Sequence, residues 1–234
     1  MDRGHAELND HLDGLRQAAR TGSDLSAASA ADTARLLRLD ALTLSLRSAH
    51  GALELLWADP ADPLGTALED LQYTLGEGPT LDAARTGRTI VEIDLNAVPA
   101  DQWPLFAPGA HELSARAVIA VPLLLGVVTA GVLTGYRTAP GSFPALQRQD
   151  LSRFARVAMD LLLHTPLQSL ATGSHGRDLH RAAVHQAAGM LTVHLGTGID
   201  AALLRLRAHA WEQGLPLLDV AHAVIDGRLR LAPD

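Results

Sequence analysis

The chain has 234 residues, 47% of them hydrophobic and 19% charged, proportions that supply cores for one large or two modest domains and exclude wholesale disorder. It has no cysteine, which excludes disulfides, thiolate metal sites, cysteine nucleophiles and thioether-linked chromophores. The net charge is −7 and all 19 basic residues are arginine, so the chain lacks the general basicity of a nonspecific nucleic-acid binder.

No basic-then-apolar leader opens the sequence and no apolar run approaches bilayer length, so a cytoplasmic protein without a membrane partner is expected. Leu8, Leu12, Leu15 and Ala19 recur at helical spacing and predict an amphipathic helix, packed on the next domain or on a partner subunit. A break at 21–24 precedes a second helical stretch, Ser26 to Leu37. Leu42, Leu44 and Leu46 then alternate with Thr43, Ser45 and Arg47, the pattern of a half-buried strand. Gly51 marks a turn, and Ala52 to Trp57 return as a hairpin partner. Leu68, Leu71, Gln72 and Leu75 give a helix ended by Gly76. A strand is expected over 89–95, a short helix over 101–113, and two strands from Ala115 to Leu125 and from Val127 to Tyr136. The last of these is nearly continuous apolar sequence, as a central strand is. A long helix from Leu146 to Leu163 ends in three leucines, buried by its own sheet or by a helical dimer seam. Strands with segregated helices indicate an α+β domain.

Pro166, Gly173 and Gly176 mark 164–176 as a linker. Beyond it, three short helical patterns follow closely. The first carries Leu179, Ala183, Ala187, Met190 and Leu191 on its apolar side. The second carries Ala202, Leu203, Leu206 and Ala210 and stops at Gly214. The third runs from Pro216 through Leu218, Ala221, Val224 and Ile225 to Gly227. Alanines where helices touch make this an all-α three-helix bundle.

Two resemblances cover most of the chain. The segment Leu71-Gln72-Tyr73-Thr74-Leu75-Gly76-Glu77-Gly78-Pro79 with Asp82-Ala83, then Trp103-Pro104-Leu105-Phe106, Val118 to Leu123 and Gly131 to Tyr136, resembles the GAF domain found upstream of ANTAR modules in actinobacteria. That likeness implies an antiparallel sheet of about six strands flanked by helices, with a small-molecule pocket over one face. Arg181, Val184, the run Gln186 to Leu191, Ala202-Leu203, Leu206-Arg207, Ala210, Leu218 to Ala221 and Val224 resemble the ANTAR domain, the RNA-binding output module of bacterial transcription antiterminators. The expected organisation is an N-terminal helical segment (1–33), a GAF-like sensor (34–163), a linker (164–176) and an ANTAR-like module (177–234). The resemblance implies a dual-hairpin RNA stem-loop as partner, captured so that a terminator hairpin does not form, and a homodimer; DNA is not an expected partner. Ala188 stands where the family has lysine, and His194 where a basic residue is common. Both departures are expected to take positive charge from the RNA-facing surface.

RNA loops are read by stacking and base-edge hydrogen bonds that Arg, His and Gln supply. Arg181, His185 and Gln186 lie within about a turn and a half of the first helix, and Arg205 and His209 share a face of the second. Arg207 matches the family pattern, with an internal ion pair as its alternative role. For any of the six the alternative is a solvated helix surface. From residue 177 on, six arginines balance six acids, so phosphate neutralisation adds little unless the arginines cluster. The Gly76-Glu77-Gly78-Pro79 stretch lacks the phosphate-cradling pattern and reads as a tight turn or as a loop beside the sensor pocket. Glu77, Trp103 and Tyr136 are candidate pocket residues for a small-molecule ligand of unidentified chemistry; each is equally a rim or core residue. His175, His180 and His185 are five apart and share no helical face, so no metal site is expected. No hydrolase elbow, kinase signature or metalloprotease helix occurs. The reading is a signal-responsive antitermination regulator rather than an enzyme. The alternative is a protein-interaction or ligand-sensing module with degenerate RNA binding.

Overall fold

The computed structural model describes residues 3–48, 52–164 and 178–231, with Arg3 and 178–182 in backbone only. The expected turn at Gly51 and the expected linker from 165 on lie outside the described residues. The chain divides into two compact units, 1–171 and 172–234.

In the first unit, helix α1 (Arg3–Arg20) buries Leu8, Leu12, Leu15 and Ala19, the stripe its spacing dictates. A 3-10 turn capped by Asp24 and helix α2 (Ala30–Leu36), capped by Ser29, replace the single expected helix. Strands β1 (Ala41–Arg47), β2 (Leu53–Trp57), β3 (Ile90–Glu92), β4 (Ala117–Leu125) and β5 (Val128–Arg137) form one sheet of order β2-β1-β5-β4-β3. Every neighbouring pair is antiparallel, and the apolar β5 takes the central place. The sheet has five described strands against the six the resemblance implied. Gly131 of β5 is obligatory, because a Cβ there would strike the Ser45 carbonyl oxygen of β1.

Alternation along the strands sorts side chains between two covered faces. Leu42, Leu44, Ile119, Val121 and Leu133 pack against α1 and the long helix α6 (Ala145–His164). Ala41, Val118 and Tyr136 point the other way, toward helices α3 (Pro63–Leu75) and α5 (Phe106–Glu112). Ala120 and Val132 meet Ala83 and Ala84 of α4 (Pro79–Thr86). Thr43 and Ser45 are therefore 1% and 2% exposed. The half-buried strand expected from their alternation with leucine is corrected: helices cover both sides of β1. Leu161 and Leu162 are buried within this unit and Leu163 is exposed, so the unit's own core takes most of that stripe.

In the second unit, α7 (Asp178–Leu195) and α8 (Ile199–Gln213) meet at 109° across the Gly196–Gly198 break. Gly214, at φ 63°, ends α8, and Pro216 opens α9 (Leu217–Ile225). Ala183, Val184, Ala187, Ala188 and Leu191 of α7, Ala202, Leu203, Leu206 and Ala210 of α8, and Val220, Ala221 and Val224 of α9 are all buried. Met190, expected in that core, is 43% exposed, because positions 187, 188 and 191 set the buried face and 190 falls off its edge. No single described helix is long and apolar enough to cross a membrane.

Candidate functional site

The α3–α4 side of the sheet carries a sealed polar cluster. Helix α3 places Glu69 and Gln72 one turn apart against the sheet, 4% and 1% exposed. Glu69 Oε1 accepts from the hydroxyls of Thr43 (2.8 Å), Thr80 (3.1 Å) and Tyr136 (2.8 Å), and Ser45 Oγ reaches Oε2 at 3.4 Å. Gln72 Nε2 donates to Thr80 Oγ1 and to Tyr136 OH, while its Oε1 accepts the Thr80 amide N–H at 2.8 Å. Thr80 and Thr134 hydroxyls meet at 2.9 Å. Burial, then the charge of Glu69, holds the Tyr136 phenol protonated well above the usual tyrosine range. Gly78, at φ 131°, lets α4 begin over Gln72; a Cβ there would collide with the Gln72 side chain.

Of the three candidate pocket residues, Tyr136 stands apart from Glu77 and Trp103. Tyr136 is fully buried in this cluster. Glu77 caps α5, its Oε1 accepting the Leu105 and Phe106 amides at 2.6 and 2.8 Å. Trp103 is 5% exposed, precedes α5 at φ 63°, packs edge-on against Phe106 and donates Nε1–H to Asp82 at 3.0 Å. Glu77 and Trp103 both line an open cleft of about 540 Å³ that also takes in Asp82, Arg85, Asp101 and Gln102. Asp94, near the α5 region in sequence, caps the 3-10 turn at Leu95–Ala97 through the Asn96 amide and grips Arg116. The Asn96 hydrogen bond, with Arg116, holds its carboxyl below the ordinary carboxylate range. Sequence reasoning missed Glu69, Thr43, Thr80 and Thr134; the signal available was Glu69 and Gln72 on the apolar side of α3.

In the second unit the six RNA candidates do not form one cluster. The backbone places Arg181 one turn before His185 on the same side of α7; the Arg181 side chain lies outside the described residues. Gln186 is exposed with Met190 and Val193 on another side. Arg205 and His209 share one flank of α8, whereas Arg207, two residues from Arg205, lies about 200° around the helix. Ala188 is fully buried in the bundle. Its expected cost in surface charge is therefore corrected: the position faces the core, where lysine would reach water only by extending its stem. His194 is exposed, one turn before Gly198. Among the described residues no group of three or more His, Asp or Glu is placed to hold a metal.

The ANTAR domain profile matches residues 176–225, the span that begins just before α7 and closes with α9. No curated protein matches the chain in sequence. Among solved structures the chain is similar to the GAF domain of a phosphoenolpyruvate-protein phosphotransferase from Coxiella burnetii, at 17% identity and a TM-score of 0.49 over 68% of this chain and 95% of that one. It is also similar to a free methionine-R-sulfoxide reductase from Neisseria meningitidis, at 20% identity and 0.46 over 73% and 93%. A third is a GAF sensor protein from Burkholderia vietnamiensis, at 21% identity and 0.46 over 70% and 97%. The chain therefore ends in an ANTAR domain at residues 176–225, preceded by an α+β unit with the antiparallel sheet and paired helical layers expected of a GAF domain.

Proposed function

We propose that the chain is a signal-responsive regulator that binds RNA through its ANTAR domain and promotes antitermination, with the α+β unit as sensor. The ANTAR match over a complete three-helix bundle carries this reading. Arg205 and His209, on one flank of α8, and Arg181 with His185, along one side of α7, are the groups assigned to RNA. Such pairs suit loop bases, which arginine and histidine reach by stacking and base-edge hydrogen bonds. The balance of six arginines and six acids from residue 177 on makes general phosphate attraction weak, so recognition relies on loop contacts. Two modules on one dual-hairpin RNA gain by effective concentration.

The sensor ligand is assigned to the cleft beside α5 rather than to the Glu69 cluster, because the cleft is open and the cluster's hydrogen bonds are met internally. In vitro transcription through a terminator preceded by two hairpins tests the proposal. Added protein should raise the read-through transcript, and mutating both hairpin loops should abolish the effect. Equal read-through from intact and mutated loops overturns it.

A further inference from the structure

Arg137, at the end of β5, is a cation whose contacts are all neutral. Its Nε–H donates to the Arg38 carbonyl at 3.2 Å, Nη1 to the Ser142 carbonyl at 3.1 Å and Nη2 to Gln147 Oε1. The guanidinium also lies 4.4 Å from the centre of the Phe143 ring. Asp40 acts on it only from beyond contact, and is itself held by the Thr138 amide and hydroxyl at 2.7 and 2.8 Å. Burial outweighs Asp40 and lowers the Arg137 pKa from its ordinary value, as expected of a cation whose charge is not fully met. Three of its five N–H donors are used, so one on each terminal nitrogen has no partner among the described residues. Gln147 is in turn anchored through Nε2 on the Leu37 carbonyl at 2.6 Å, so the guanidinium is already ordered to receive a ligand.

This arginine lines a cavity of about 360 Å³ between the start of α1, the end of α2 and the start of α6. Leu8 and Leu37, both buried, give the cavity an apolar wall together with Leu36, Pro144 and Leu146. A mostly apolar cavity of this size with few polar groups has the form of a small-molecule site. The other charged groups at the cavity are engaged. Asp150, 5% exposed, pairs with Arg153 at 2.9 Å and faces His5 at 3.6 Å. Arg38 also lines the cavity and has an interaction of its own within the chain. Arg137 is thus the cation left for a ligand. One arginine near Asp150 suits a monoanion, whereas a phosphate dianion calls for further cations.

We propose that this cavity binds a small aliphatic carboxylate, its charged end on Arg137 and its chain along Leu8, Leu36 and Leu37. The site shares no lining residue with the cleft beside α5. Leu8 and Leu37 belong to the core on one face of the sheet and Trp103 to the core on the other. The cavity is therefore a second input to the first unit, independent of the cleft and of RNA binding. A ligand there touches both α1 and α6 and ties the N-terminal helix to the long helix.

Octanoate is the probe, titrated by calorimetry into the full-length protein at low salt. Its uncharged counterpart is 1-octanol, and octyl phosphate is the phosphate counterpart. Octanoate should bind one per chain, at least about tenfold tighter than 1-octanol, the worth of a hydrogen bond to a charged group. Arg137→Gln should remove that advantage. Since Arg137 also holds the loop before α6, Leu146 supplies a second variant. It is 54% exposed in the first turn of α6, where an acid suits the helix dipole. Leu146→Glu should weaken octanoate several-fold more than Leu146→Gln, with 1-octanol bound equally by the two. Equal affinity for octanoate and 1-octanol overturns the proposal, as does the lack of saturable binding at millimolar octanoate. Octanoate binding indifferent to both Arg137→Gln and Leu146→Glu also overturns it. Tighter binding of octyl phosphate than of octanoate overturns the carboxylate assignment in favour of a phosphate ester.

Discussion

Tyr136→Phe isolates one hydroxyl in a fully buried setting. The Tyr136 OH donates to Glu69 Oε1 at 2.8 Å and accepts from Gln72 Nε2 at 2.8 Å. The ring's packing with α3 and α5 is retained, so the loss is confined to those two bonds. A buried hydrogen bond to a charged group contributes about 1.5–3 kcal/mol, whereas Gln72 Nε2 keeps its bond to Thr80 and adds little. The first unit should therefore lose about 2–3 kcal/mol, and its melting transition should fall by about 5–10 °C for a unit of this size. A second readout comes from pH. The folded state holds the phenol protonated above its usual range because of burial and Glu69, whereas the unfolded chain ionises it near pH 10. The stabilisation is full below about pH 10 and is lost above it at about 1.4 kcal/mol per pH unit, and the phenylalanine variant lacks that decline. Calorimetry and urea titrations at pH 7, 9 and 11 should show wild type and variant converging at the alkaline end. A transition shifted by less than about 1 °C at pH 7, or a stability gap constant to pH 11, would refute the account of the cluster.

Three further outcomes follow. Glu77→Ala removes the carboxylate that accepts two α5 amides and should destabilise the first unit by about 0.5–2 kcal/mol, read by urea unfolding; no change would mean solvent serves those amides equally well. Ala188→Lys places a longer side chain at a fully buried site and should cost the ANTAR module about 1–3 kcal/mol without tightening RNA binding, checked by thermal melts and RNA titration. His11, bonded to Thr33 at 3.0 Å, has its pKa lowered, first by burial. Its contribution is full above about pH 6.5 and is lost as the pH falls below that through the lowered value, so His11→Gln should flatten the acid side of the stability profile.

Most elements were legible because their periodicity is strong. Leu8 to Ala19, the β5 run and the alanine-rich faces of the last three helices each admit one arrangement. Helix α4 was not, since Gly76-Glu77-Gly78-Pro79 reads as a turn; Pro79 in the first helical turn was the overlooked start signal. Thr43 and Ser45 carry the signature of a solvent face, yet a second helical layer covers them, and only long-range packing decides that. The candidate site was less legible than the fold. Glu77, a candidate pocket acid that lines the open cleft, also serves a helix terminus twenty-eight residues away, which no local pattern signals. The Glu69 partners described above come from three elements, β1, α4 and β5, scattered between Thr43 and Tyr136. In the ANTAR domain, residue types pointed to RNA, but helix geometry alone separates Arg205 from Arg207 and turns Ala188 inward.

The central claim is loop-dependent RNA recognition by α7 and α8. It is tested most directly by titrating full-length protein into a labelled RNA of two adjacent hairpins, at low and moderate salt. A loop-mutated RNA and an Arg181→Ala, Arg205→Ala variant run alongside. The account predicts binding that survives moderate salt, requires the intact loops and is lost in the variant. Equal, negligible binding of a folded chain to both RNAs at low salt would contradict it.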